Sequence, residues 1–165
     1  MASGDTLLTF KPYDNEPPSS NFATLDTRNG HPTLDHDGST AESCIFSAVL
    51  PRNYAGGGIT VYIHYSMTSA TSGNVVMSSA FERIGDGSQD IDANGFATAN
   101  NSASTAVPAT SGNVDIMSIA HTNGAQLDSI AVGEGFRLQV ARVPADAGDD
   151  VTTDLEAIAV ELKET

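Results

Sequence analysis

The sequence predicts an all-β fold: an antiparallel two-sheet β-sandwich, jelly-roll-like, with an N-terminal arm and at most one short helix. Three observations lead there. About eight segments alternate apolar and polar residues with a period of two, the pattern of strands with one buried and one wetted face. Short turns rich in Gly, Asn and Asp separate them. The composition, 39% hydrophobic and only 17% charged with much of the rest small and polar, suits strands and tight turns better than helices.

Residues 1–21 read as an arm and 22–165 as the sandwich domain. Thr6 to Phe10 forms a short strand inside the arm, and Pro12, Pro17 and Pro18 stop any ladder beyond it. Phe22 to Asp37 reads as a hairpin about Arg28-Asn29-Gly30, since Asn-Gly accepts positive φ at little cost. Ser43 to Leu50 puts Cys44, Phe46, Ala48 and Leu50 on one face. After the loop of Gly56, Gly57 and Gly58, the clearest strand runs from Ile59 to Met67. Its odd positions are apolar, and Thr60, Tyr62, His64 and Ser66 share the other face. Val75 to Ile84 follows, with Val75, Met77, Ser79 and Phe81 facing one way.

Phe96 to Val107 reads as one strand of small residues. In Asn113 to His121, Val114, Ile116, Ser118 and Ala120 oppose Asp115, Met117, Ile119 and His121. Met117 and Ile119, with Tyr62 and Val143, are expected on a second partly apolar face, opposite the core. Asn123 to Val132 reads as the one helix, from the spacing of Leu127, Ile130 and Ala131 and the stops at Gly133 and Gly135. Phe136 to Val143 is a strand, and an acidic loop leads to the last one. That strand, Leu155 to Leu162, is expected to hold Ile158, Val160 and Leu162 on one face.

A chain of 165 residues buries about 70% of the surface it exposes when unfolded, enough for one core without staples. Seven Lys and Arg against 21 Asp and Glu leave a formal net charge of −14. That balance argues against a nucleic-acid partner, because phosphate neutralisation needs clustered cations, and it disfavours an anionic membrane surface. Cys44 stands alone, so no disulfide forms within the chain, and its apolar register predicts a buried, inert thiol. The first residues show neither a basic region nor an apolar run of secretory type, and cytoplasmic synthesis is expected.

The chemical candidates are few. Asp90, Asp92 and Asn94, followed by Gly95, match the first half of a calcium loop, although position twelve is Asn101 where a bidentate Glu is needed. A tight turn explains the same residues. His31, Asp35, His36 and Asp37 cluster in a segment bounded by Pro32 and Gly38, and a solvated loop accounts for them better than a cation site. Asp146, Asp149, Asp150 and Asp154 are read as solubilising groups rather than a Ca²⁺ site. His64 and His121 lie on strands and would serve as bases only beside a serine or carboxylate. Asn100-Asn101-Ser102 is formally a glycosylation acceptor. No catalytic residues are assigned and no cofactor is expected. Sugar recognition would call on exposed aromatics, for which Tyr13, Tyr54 and Tyr62 are the candidates.

The runs Gly56-Gly57-Gly58-Ile59-Thr60-Val61-Tyr62-Ile63-His64-Tyr65, Ala80-Phe81-Glu82-Arg83-Ile84 and Gly135-Phe136-Arg137-Leu138-Gln139-Val140-Ala141-Arg142 resemble small proteins of tailed-phage genomes over residues 40–163. In size, acidity and strand content the chain is similar to the jelly-roll cement or decoration proteins of phage capsids. The resemblance implies a virion structural protein, made in the host cytoplasm and located on the capsid surface. Its partners would be the major capsid protein and further copies of itself, as a trimer. Leu7, Leu8, Phe10, Pro12 and Tyr13 of the arm would then contact the capsid or a neighbouring subunit. The alternative is a carbohydrate- or receptor-binding sandwich module of a phage tail or fibre.

Overall fold

The computed structural model, which describes residues 4–165, contains twelve strands and, among those residues, no α-helix. In chain order they are β1 (Thr6–Phe10), β2 (Thr24–Arg28), β3 (His31–His36), β4 (Ser43–Val49), β5 (Ile59–Met67), β6 (Asn74–Val75), β7 (Met77–Ile84), β8 (Asn100–Asn101), β9 (Thr105–Ala106), β10 (Asp115–His121), β11 (Gly135–Arg142) and β12 (Leu155–Glu164). One sheet runs β10-β5-β12-β3-β2, with β1 also on β12. The other runs β4-β11-β7-β8, and β6 and β9 make a small third ladder. All the ladders are antiparallel. The jelly-roll-like sandwich expected from the alternation is therefore the fold.

The core lies between the two main sheets. From β5 come Ile59, Val61, Ile63, Tyr65 and Met67, all fully buried. They meet Phe46 of β4, Phe81 of β7, and Phe136, Leu138 and Val140 of β11. Each such side chain contributes about 1.5–3 kcal/mol relative to exposure.

The arm does not stand apart. β1 pairs with the C-terminal half of β12, from Thr6 opposite Lys163 to Phe10 opposite Val160. Leu7 and Phe10 are buried in the subunit's own core, and Leu8 packs against it. The Phe10 ring stacks on Phe46 with centroids 5.0 Å apart. Pro12 is buried in a short 3-10 turn, and Tyr13, 70% exposed, is the one arm contact residue fully open to solvent. An apolar strand next to an open ladder edge gains both hydrogen bonds and burial by closing on its own sheet. This is why residues expected to dock on a neighbour pack inside.

Four further expectations change. Met117 and Ile119 point into the core, and Val114 and Ile116 are the exposed pair, because β10 registers Met117 opposite Ile63 and Ile119 opposite Val61. A β-bulge between Ala157 and Ala159 shifts the phase of β12. Leu155, Ala157, Val160 and Leu162 therefore face inward, and Ile158 does not join Val160 and Leu162. The segment expected as a helix holds only the 3-10 turn Ala125–Leu127, since Asp128 and Ser129 adopt positive φ of 51° and 56°. Finally, the run of small residues from 96 to 107 provides the two short strands β8 and β9 rather than one long one.

Candidate functional site

The β2–β3 hairpin turns at Asn29 and Gly30, both with positive φ (48° and 78°), the geometry that matches a right-twisted two-residue hairpin. This turn sets Arg28 opposite His31 on the outer face of the larger sheet. Thr33 and Asp35 follow on that face of β3, and Glu156 of β12 stands between Asp35 and Ser66 of β5. The loop 108–114 approaches from the β10 side. Gly112, with φ +84°, comes so close to the guanidinium that an added Cβ would lie 3.0 Å from Arg28 Nη2. Between hairpin and loop lies a cleft of about 400 Å³, lined by Arg28, Asn29, His31, Thr33, Ser66, Gly112, Val114 and Ile158.

The cleft combines fixed polar groups with aliphatic walls. Arg28 Nη1 donates to Glu156 Oε2 at 2.5 Å and to the Met67 carbonyl at 2.6 Å. Ser66 Oγ donates to the same Glu156 oxygen at 2.8 Å. Thr33 Oγ1 donates to Asp35 Oδ1 at 2.8 Å. Burial raises the Asp35 carboxyl above its ordinary value, and the nearby Glu156, Asp26 and Asp154 push the same way, against the Thr33 hydrogen bond. The guanidinium is thus held by one edge, with 35% of its side chain exposed. Val114 and Ile158 offer C–H surface on the other side. Such a site suits a neutral, hydroxyl-rich ligand that has both apolar faces and hydrogen-bonding edges.

The residues singled out in the sequence do not converge. Strand alternation divides the His/Asp segment. His31 opens into the cleft, while His36 is buried in the core with Nδ1 3.0 Å from the Glu42 carbonyl. Asp37 accepts the backbone N–H groups of Ser39 and Thr40 and the Ser39 hydroxyl, which hold its carboxyl down at about 2. Asp90 accepts the N–H of Asp92 at 3.0 Å, and the Asn94 amide donates to the Arg83 carbonyl, so these residues close a turn. Among the described residues no group of three or more His, Cys, Asp or Glu side chains is placed to hold a metal. Asp149 pairs with Arg142, and Asp150 accepts the N–H of Asn74, which leaves the acidic loop dispersed. Asn100 and Asn101 use their amides on the Ala120 carbonyl and on Asp146.

A serine does stand beside His121. Ser79 Oγ and His121 Nε2 lie 2.7 Å apart, yet the two residues are only 1% and 2% exposed, under the edge of Phe81. Burial lowers the His121 pKa. A neutral histidine sealed from solvent satisfies a core hydroxyl and meets no substrate. Cys44 is equally enclosed, 3.8 Å from His36 Nε2, and burial pushes its thiol up to about 12. Of the aromatic candidates, Tyr54 is buried with its hydroxyl on the Gly57 carbonyl, and Tyr62 is partly open beyond the cleft.

No family model matches the chain, and no curated protein does. Among solved structures, the xylan-binding domain CBM22-2 of Paenibacillus barcinonensis Xyn10C superposes with a TM-score of 0.52 at 14% identity, covering 92% of each chain. The likeness is one of fold. The CBM22-1 xylan-binding domain of the same protein gives 0.49 at 12% identity, over 99% of this chain and 97% of that one. The K1 adhesin domain of Lys-gingipain from Porphyromonas gingivalis gives 0.43 at 11% identity, over 98% and 99%. The sandwich fold is therefore shared with the CBM22-2 xylan-binding domain.

Sequence reading missed the cleft because its lining comes from four separate stretches of chain. Arg28 to Thr33 are local, whereas Ser66, Gly112 to Val114 and Ile158 arrive from other strands and loops. One signal was present: Arg28 and Thr33 are polar residues at alternating positions of a hairpin, on the face away from Leu34.

Proposed function

We propose that the chain is a non-catalytic β-sandwich module that binds a neutral polysaccharide in the cleft of the larger sheet. The observation that carries this reading is the cleft itself. An edge-held guanidinium, the Asn29 amide and His31 face the aliphatic surfaces of Val114 and Ile158, over a floor that includes the buried Thr33 and Ser66. Sugar hydroxyls pair with such planar polar groups, and sugar C–H faces pack on such walls. The net charge of −14 repels acidic polymers and leaves neutral ones. The fold likeness to a domain named as xylan-binding supports the same reading. A virion setting, with the module on a phage tail or fibre, is the form that the phage resemblance adds. Of the residues expected to grip a capsid, Leu7, Phe10 and Pro12 are buried in the subunit and Leu8 packs against its core, which leaves Tyr13 for such a contact.

Affinity electrophoresis in gels containing xylan or mannan tests the proposal. The intact chain is expected to be retarded by at least one of the two, equally with and without EDTA, and Arg28→Ala is expected to abolish the retardation. Free migration in both gels would sink the reading. Co-sedimentation of the same protein with undecorated capsid shells would then favour the cement function.

A further inference from the structure

The cleft opens onto a face that the proposed site does not use. Beyond Ser66, the outer face of β5 carries His64, Tyr62 and Thr60, each in a cross-strand row. Ile116, His64 and Ala159 form the first row; Ser118, Tyr62 and Glu161 form the second. The first row continues the apolar wall, because Ile116 is 50% exposed two positions along from Val114, itself 57% exposed. These two half-exposed aliphatic side chains carry the cleft's apolar wall onto the outer face of β10. In the second row the Tyr62 ring is partly open, with only the small, exposed Ser118 beside it on β10.

The charged side chains on this face, Lys163 and Glu161, have close neighbours. The Lys163 ammonium lies 5.6 Å from the centre of the Tyr62 ring. Glu161 accepts the Thr6 hydroxyl and stands 3.9 Å from His64 Nε2. The surface thus presents an apolar band ending in an aromatic ring, flanked by paired polar groups, with no excess of positive charge for an anion. From Ser66 to Tyr62 it extends about 13 Å along the strand, more than one pyranose ring can span.

Resting on the neutral-polysaccharide reading, we propose that the ligand is a linear oligosaccharide that runs from the cleft along β5, past Ile116, and stacks a distal sugar on Tyr62. The module then recognises a stretch of several sugars rather than a single unit. Isothermal titration with xylobiose and xylohexaose tests this, with mannobiose and mannohexaose used if mannan is the retained polymer. The hexasaccharide is expected to bind at least about tenfold more tightly than the disaccharide, the effect of one aromatic anchor. Tyr62→Ala removes that gain and leaves disaccharide affinity unchanged. Ser118→Glu, an exposed position, does the same by crowding the ring with a hydrated charge. Equal affinities for the two lengths, or a Tyr62→Ala protein that keeps full hexasaccharide affinity, would overturn the extended site and leave the cleft standing. A chain that binds neither length and neither polymer overturns both.

Discussion

Arg142 and Arg28 each meet a carboxylate, but at different depths. Arg142 lies in the interior with Asp149, their side chains 0% and 1% exposed. Its Nε and Nη2 hold both Asp149 oxygens at 3.0 and 2.9 Å, and its remaining N–H groups reach the Thr153 and Val151 carbonyls. Asp149 also accepts the N–H of Val76. Every polar atom of these two side chains has a partner, so the pair ties the acidic loop to β11 and offers nothing to a ligand. Arg28 and Glu156 are 35% and 7% exposed, and the guanidinium keeps one side towards the cleft. The same pair of residue types is structural when enclosed and available for recognition when half-enclosed.

Breaking the enclosed pair has the largest expected effect. Arg142→Met leaves Asp149 buried with a single backbone donor, and a loss of about 3–5 kcal/mol is expected in urea unfolding. A loss below about 1 kcal/mol would mean that water enters and that the two pairs are not distinct.

The second effect is acid sensitivity next to that pair. Burial, helped by the charge of Arg142, lowers His36 from 6.5 to about 4, against its bond to the Glu42 carbonyl. Above pH 6.5 neither folded nor unfolded chain holds the proton. Between pH 6.5 and about 4 only the unfolded chain takes it up, so stability falls as the pH drops through this window. The His36 share amounts to about 3 kcal/mol at most. His36→Gln is expected to flatten this limb of the urea midpoint plotted against pH, and an unchanged slope would remove histidine from the account.

The smallest stability effect belongs to Arg28→Ala. Its partly exposed ion pair is screened by solvent, and about 1 kcal/mol of loss is expected, with polysaccharide retardation abolished. A loss as large as that of Arg142→Met would place Arg28 among the structural residues and undercut its binding role.

The two regions also differ in how far they could be read beforehand. The core strands were legible because burial on one face imposes a period of two. Ile59–Met67 has the boundaries that its alternation predicts, and the Asn29-Gly30 turn carries the positive φ values its residues favour. Alternation does not say which face is buried when both carry apolar residues. That is why alternation alone allows Met117 and Ile119 to face outward, whereas the register against β5 turns them in and Val114 and Ile116 are exposed. The docking of the arm is not legible for a related reason: prolines end a strand but do not say where it docks, and β12 has a free edge for β1. The cleft required knowledge of which strands are neighbours, and local patterns do not contain it.

The bulge at Ala157–Ala159 joins the two regions. It lets one strand serve opposite sides of the sheet out of phase, with Ile158 as the extra residue. A relative lacking that single position would keep Leu155, Val160 and Leu162 in the interior and lose a wall of the recognition surface. A one-residue insertion or deletion could therefore gain or remove ligand selectivity in this scaffold while the hydrophobic interior stays as it is.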